Sequence, residues 1–141
     1  MHFGGSEEIE MTLMSKRPCN LFQIPPLTSA AGHRAEDWRG KQMWRGFCKV
    51  VMLGSTTCKI VFVNEDGTEF ASSSFQCDDY EHMVQRCVDS SRFFAVLLIN
   101  ECTGQKANIG VQFPERNDSF DFIGGLDQYV KHYRVEKGIE I

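Results

Sequence analysis

Three small polar residues and an arginine, Asp89 to Arg92, stand directly before the most apolar run of the chain, Phe93 to Ile99. A second arginine, Arg116, lies in the segment Pro-Glu-Arg-Asn-Asp at the start of a helical pattern. Serine hydroxyls, turn amides and guanidinium groups bind phosphates and carboxylates, and arginine can form bidentate hydrogen bonds with either anion. The amino end of a helix adds positive potential. These residues therefore form a candidate anion site.

A simpler interpretation of the two arginines is that each makes only a surface ion pair. Arg92 would pair with Asp89 across the turn, and Arg116 with a neighbouring carboxylate. Each pair would then contribute about 0–1 kcal/mol to stability and nothing to binding. Composition alone leaves both interpretations open.

Signatures of catalysis and metal binding are weak. The chain has no Gly-rich phosphate loop, no G-x-S-x-G and no H-E-x-x-H. The acidic stretch Cys77 to His82 offers carboxylates and a histidine to a hard metal, but a solvated loop explains it better, since catalytic zinc usually draws on more than one nitrogen or sulfur ligand. Ser90 or Ser91 would be a nucleophile only beside a base. We expect a non-enzymatic protein without catalytic residues, metal or cofactor.

Charge and composition restrict the class of protein. A net charge of −4 argues against a general nucleic-acid binder. The longest apolar run has seven residues, whereas a membrane-spanning helix needs about 20. The first ten residues do not read as a secretory signal, so we interpret the six cysteines as free thiols in a reducing cytosol.

Period-two hydrophobicity predicts the elements that position the candidate site. Runs of this kind begin at Phe47 and recur up to Phe113, separated by turn residues, which indicates six or seven antiparallel strands. The last part changes to a helical stripe with Asn117, Asp118 or Ser119 as its cap, the stripe being Phe122, Leu126, Tyr129, Val130 and Tyr133. The order predicts a mainly β fold, a bent sheet or open barrel closed by a C-terminal helix. The pleckstrin-homology superfold has this plan.

We divide the chain into a flexible N-terminal segment 1–18, one domain 19–135 and a short extension 136–141. Trp38 and Trp44 are too large to leave in water, so we expect both to pin the long connection before Phe47 onto the domain. Gly124-Gly125 inside the helical pattern predicts close packing against the sheet or a local bend.

An ordered set of motifs resembles the N-terminal domain of the NECAP family, the adaptin-ear-binding coat-associated proteins. Members show Ile-Pro-Pro, Gly-aromatic-Arg-Ala-x-x-Trp, Trp-x-Gly, Asp-Ser-Ser-Arg-Tyr-Phe, Phe-Ile-Gly and Asp-Arg-Gly-Asp-Ala-Phe-Asp-Phe. Here these correspond to Ile24-Pro25-Pro26, Gly32 to Ala35 with Trp38, Trp44 with Gly46, Asp89 to Phe94, Asn108 to Gly110, and Glu115 to Phe122. The resemblance covers about Cys19 to Val135.

This resemblance implies a pleckstrin-homology-like fold and a regulator of clathrin-mediated endocytosis, in the cytoplasm at clathrin-coated pits and vesicles. Such domains bind the plasma-membrane clathrin adaptor complex, notably when it is phosphorylated, and Phe-x-Asp-x-Phe peptides of accessory proteins. The family's adaptor-binding residues fall on Ser90 and Arg116. We therefore expect Ser90, Ser91 and Arg116 to contact a phosphothreonine segment, with Arg92 touching the ligand or holding the turn. Membrane association would be indirect, through the coat.

The chain departs from the family pattern at a few positions. Gly104-Gln105 replaces a Gly-Arg pair, so we add Lys106 to the candidate set as a compensating cation. Leu27 replaces an arginine, and His33 replaces an aromatic residue. No Trp-x-x-Phe peptide of the kind with which family tails bind adaptor ears follows the domain in this sequence.

Two other classes of function remain open on the sequence. A phosphoinositide-binding domain would use Lys49, Lys59 or Lys106 on inositol phosphates. A small enzyme would use the acidic stretch, and its activity would depend on His82 rather than on Ser90 or Arg116.

Overall fold

The computed structural model describes residues 10–24, 32–38, 40–54, 56–76, 80–87, 89–99, 103 and 105–136. Most of these residues belong to seven strands, two α-helices and a 3₁₀ helix at Ala35–Trp38. The strands are β1 (Glu10–Gln23), β2 (Gln42–Leu53), β3 (Thr57–Val63), β4 (Glu69–Gln76), β5 (Val84–Cys87), β6 (Ser90–Ile99) and β7 (Lys106–Gln112). The α-helices are α1 (Tyr80–Met83) and α2 (Arg116–Glu136).

The seven strands form one antiparallel sheet in the order β4-β3-β2-β1-β7-β6-β5. Strand β1 joins the two halves, because it pairs with β2 along most of its length and with β7 only over Asn20–Gln23. The Ser73 hydroxyl on β4 donates to the Leu97 carbonyl on β6 over 2.6 Å, so the two halves approach each other. The predicted mainly β architecture of six or seven antiparallel strands with a C-terminal helix is confirmed, and the sheet has seven strands.

The core lies between the bent sheet and α2. In β3, Cys58, Ile60 and Phe62 are fully buried on one face, as their period-two spacing predicts. The apolar stripe of α2 closes the open side, with Phe122, Leu126, Tyr129 and Tyr133 buried. The described cysteines, Cys19, Cys48, Cys58 and Cys87, are free and buried. Burial raises the pKa of Cys19 and of Cys58 to about 12, so both remain neutral thiols that pack as small apolar groups.

Two sequence predictions for the first half of the chain are wrong. Residues 10–18, assigned to a flexible lead-in, form the first part of β1. Register shifts between Thr12 and Met14 and between Met14 and Arg17 break the period-two pattern, which hid the strand. Strand β2 begins at Gln42 rather than at Phe47, so Trp44 lies in a strand and not in the connection.

Helix α2 begins earlier than the sequence predicts. The amides of Asp118 and Ser119 both donate to the Glu115 carbonyl, so Glu115 takes the N-cap position. Asn117, Asp118 and Ser119 lie inside the first turn and do not cap it. The Ser119 hydroxyl instead donates to the Arg116 carbonyl over 2.7 Å. The first turn therefore contains the predicted site arginine.

Close packing explains one glycine of the Gly124-Gly125 pair. A Cβ atom on Gly125 would lie 3.2 Å from the Leu13 carbonyl oxygen, so α2 approaches the backbone of β1 here. Gly124 faces open space. In the described part of the chain, no helix has the length and hydropathy needed to cross a membrane.

Candidate functional site

The β5–β6 hairpin presents the serines of the candidate site. Strand β5 ends at Cys87 and pairs there with Ser90, the first residue of β6. The Arg92 amide donates to the Ser90 hydroxyl oxygen over 3.3 Å, which is a local turn contact of the kind serine favours. Ser90 is half-buried, whereas Ser91 and Arg92 are exposed. The hairpin thus carries polar groups on a rigid strand end.

The start of α2 lies beside this hairpin. The Phe113 amide donates to the Arg92 carbonyl over 3.0 Å, and the Arg92 guanidinium donates to the Pro114 carbonyl over 3.0 Å. Helix α2 begins two residues after Pro114, at Arg116. The structure therefore brings Ser90, Ser91, Arg92 and Arg116 to one end of the β6–β7 pair. Arg92 binds the Pro114 carbonyl, not Asp89, so it fastens the hairpin to the helix entry.

Arg116 is exposed in the first turn of α2, where the helix dipole is positive. Among the described residues the ion pairs use other cations, namely Arg17, Arg34 and Lys59. Arg17 on β1 pairs with Asp118 of this turn over 2.9 Å and with Asp121 of the next turn over 2.7 Å. The guanidinium of Arg116 is therefore available to an external anion.

Asp89 plays a structural role that the sequence did not reveal. Its carboxylate accepts the Ala35 amide over 2.7 Å and the Glu36 amide over 3.2 Å, which ties the hairpin to the 3₁₀ helix. Partial desolvation acts to raise the pKa of Asp89, but these backbone amides outweigh it and hold the pKa below its ordinary value of 3.8. In the sequence, the only sign of this structural role was a single aspartate directly before a strand.

Trp38 anchors the segment Gly32–Trp38 on the outer face of β6 and β7. Its ring is 1% exposed and packs edge-on against Phe93, with ring centroids 5.9 Å apart. A Cβ atom on Gly110 would lie 2.6 Å from the Trp38 ring, so glycine is needed there to admit the indole. The predicted anchoring of the connection by Trp38 is confirmed. His33 in the same segment contacts Gln85 of β5 over 2.9 Å.

A surface cavity of about 440 Å³ opens between this segment and the hairpin. Phe22, Ala35, Trp38 and Phe93 line it with apolar surface. Asp89 and Glu36 add carboxylates. The cavity adjoins the candidate site, because Asp89 is followed directly by Ser90.

Lys106 lies apart from the other candidate residues. The β6–β7 register runs from Phe93 opposite Gln112 to Ile99 opposite Lys106, six residues further along β6. Ser90 lies three residues beyond Phe93, so at about 3.4 Å per residue Lys106 is roughly 30 Å from Ser90 along the strands. It cannot share an anion with Ser90 and Arg116.

The three lysines proposed for inositol phosphates do not all converge either. Lys49 on β2 and Lys59 on β3 share a face of the first half of the sheet, away from Lys106. The ammonium of Lys59 pairs with Glu69 over 3.6 Å. The described residues include no cluster of acidic, histidine and cysteine side chains suited to a metal. Asp78 and Asp79 of the acidic stretch fall outside the described residues.

Removing the Asp89 carboxylate is expected to destabilise the domain in a pH-dependent manner. Because the folded-state pKa is lowered, the contribution is complete above the ordinary pKa and is lost as the pH falls through the lowered value. Asp89→Asn should cost about 1 kcal/mol at pH 7, a modest amount because the group is exposed. Urea unfolding from pH 7 to pH 3 measures the difference from wild type, which should shrink below about pH 4. Asp37→Asn, which removes the same charge nearby, is the control; an equal pH dependence there would contradict the assignment.

Comparison with known proteins identifies similar sequences over nearly the whole chain. A family described as "Protein of unknown function (DUF1681)" matches residues 9–141. Adaptin ear-binding coat-associated protein 1 is 34% identical over 134 residues in Homo sapiens and 35% over 138 in Mus musculus, each match covering 94% of this chain and 48% of the relative. An uncharacterized protein of Arabidopsis thaliana is 35% identical over 133 residues, and the match covers 93% of this chain and 48% of that protein. The chain therefore spans about half the length of the curated relatives it matches.

The chain is also similar in fold to solved structures. The RAN binding domain of the nuclear pore complex component NUP2 from Ashbya gossypii superposes with a TM-score of 0.60, covering 86% of this chain and 98% of that one. Sequence identity is 10%, so the likeness concerns the fold alone. RAN binding domains are pleckstrin-homology-like, which confirms the predicted superfold.

Proposed function

Because this chain belongs to the family of adaptin ear-binding coat-associated proteins, or NECAP family, we propose that it is a non-enzymatic interaction module of clathrin-coated vesicle trafficking. The names of its relatives, which say that they bind adaptin ears and associate with coats, support this role. The module acts in the cytoplasm at clathrin-coated pits and vesicles. Its partners are the clathrin adaptor complex and Phe-x-Asp-x-Phe peptides of accessory proteins, and the membrane is reached only through the coat.

The observation that carries the mechanism is the exposed Arg116 at the amino end of α2, unpaired among the described residues and at the same end of the β6–β7 pair as Ser90 and Ser91. A phosphothreonine carries a charge of about −1.5 to −2 and three acceptor oxygens, which suits a guanidinium, hydroxyls and helix amides together. We assign Arg116, Ser90 and Ser91 to such a phosphothreonine on the adaptor. Arg92 positions the hairpin through Pro114.

Binding to purified adaptor core, phosphorylated or phosphatase-treated, tests this assignment. Wild-type protein should bind the phosphorylated core more tightly. Arg116→Ala should weaken that binding at least tenfold, since a hydrogen bond to a charged group contributes about 1.5–3 kcal/mol. Lys106→Ala is the matched control, because it removes the same charge from the far end of β7 and should change the affinity less than about twofold.

The other outcomes separate the parts of the proposal. Equal binding to both forms of the core would retain the adaptor as partner and exclude the anion mechanism. A failure to bind either form would remove the adaptor. If Arg116→Ala still floats with phosphoinositide vesicles whereas Lys49→Ala does not, the results favour a lipid-binding domain instead.

A further inference from the structure

The cavity beside the hairpin has the dimensions and chemistry of a side-chain subsite. Its volume of about 440 Å³ falls within the range of roughly 300–1,000 Å³ that ligand pockets occupy. Phe93 on its wall is only half-buried, so apolar surface remains open to solvent next to the fully packed Trp38. An apolar group entering the cavity would bury that surface.

The position of the cavity relates it to the proposed phosphate contacts. Asp89 lines the cavity, and the next residue is Ser90, whose Cα atom lies about 3.8 Å away. An extended peptide advances about 3.3–3.6 Å per residue. Ser91 shares the β6 face of Phe93, which lines the cavity, so a segment whose phosphate sits at the hairpin reaches the cavity mouth with a side chain one or two positions away.

The charges of the cavity restrict what it accepts. The Asp89 carboxylate is held in place by the Ala35 and Glu36 amides. The Glu36 side chain beside it is 64% exposed and pairs with Arg34 over 3.7 Å. The Asp89 carboxylate repels an acidic side chain and leaves apolar ones unaffected, while Arg34 offsets part of the Glu36 charge. Rejection of wrong partners by like charge is a common source of specificity.

We propose that this cavity binds an aliphatic or aromatic side chain of the partner segment, one or two residues from its phosphothreonine, and excludes an acidic residue there. The inference rests on the proposed function and adds the sequence preference of the ligand. The phosphate supplies attraction through Arg116, and the cavity selects which phosphorylated segment is bound.

Short synthetic phosphothreonine peptides with Leu, Ala or Asp at each position flanking the phosphorylated residue test the subsite by fluorescence anisotropy. Wild-type protein should prefer Leu over Ala about tenfold at one position, since part of a leucine's burial energy of about 1.5–3 kcal/mol is gained, and should bind the Asp peptide most weakly. Ala35→Leu fills the cavity and should abolish the Leu preference while changing affinity for the Ala peptide less than about twofold. Ala35→Ser keeps the cavity open and should retain the preference.

The failures of the two proposals are distinguishable. If phosphopeptides bind in an Arg116-dependent manner but without a Leu preference in wild type, the subsite is overturned and the proposed function stands. A Leu preference that persists in folded Ala35→Leu also overturns the subsite. If no phosphopeptide binds, both are overturned. If Ala35→Leu does not fold, Glu36→Gln is tested instead. This variant must discriminate less strongly than wild type against the peptide that carries Asp.

Discussion

Replacing Trp38 with alanine is expected to lower the free energy of unfolding by about 3–5 kcal/mol, the range for removing a large buried aromatic side chain. Trp38 is 1% exposed and contacts Phe93, while its ring fits against Gly110. Because the indole is the main apolar anchor of the Gly32–Trp38 segment, little neighbouring structure can collapse into the space that it leaves. The segment also forms one wall of the cavity, so the binding surface should be lost with the anchor.

Urea unfolding followed by circular dichroism measures this effect. Trp38→Phe keeps an aromatic ring in the same place and should lose clearly less stability than Trp38→Ala. Met43→Ala, which truncates an exposed apolar side chain on β2, is the matched surface control and should change stability by less than about 0.5 kcal/mol. A loss below about 1 kcal/mol for Trp38→Ala would show that other contacts hold the segment.

The regular elements could be predicted from the sequence because their patterns are local. Period-two runs in β3 and the stripe from Phe122 to Tyr133 place their apolar residues on the buried side, as the structure has them. The first part of strand β1 could not be predicted, since its bulges reset the alternation between Thr12 and Arg17. The search for a capping side chain also placed the start of α2 too late. The backbone carbonyl of Glu115 accepts the first helix amides, and no capping side chain is needed.

The candidate site could be predicted only in part, because long-range contacts rather than local patterns bring its residues together. The family resemblance singled out Ser90 and Arg116, but no local pattern brings together residues 26 positions apart; the β6–β7 pairing and the Arg92–Pro114 hydrogen bond do so. The contact of Asp89 with Ala35 spans 54 positions and leaves no periodic signal. The same pairing puts Lys106 at the opposite end, which only the strand register reveals.

Replacing Phe122 with alanine is expected to lower the free energy of unfolding by about 3–5 kcal/mol. The Phe122 ring is fully buried, with its centroid 5.1 Å from that of Phe94 on β6 and 5.0 Å from that of Phe113. Tilted aromatic packing of this kind adds about 0.5–1.5 kcal/mol per pair beyond the burial of apolar area. The substitution therefore loses both burial and two ring contacts in one step.

Phe120 provides a matched control two residues earlier on the same helix. Its side chain is 59% exposed, so Phe120→Ala should change stability by less than about 0.5 kcal/mol in the same urea experiment. Equal losses for the two variants would contradict the packing of α2 described here. The comparison also bears on the site, because Phe122 fixes the first two turns of α2 against β6. Arg116 lies in the first of those turns, so its position over the hairpin depends on the apolar contact below it.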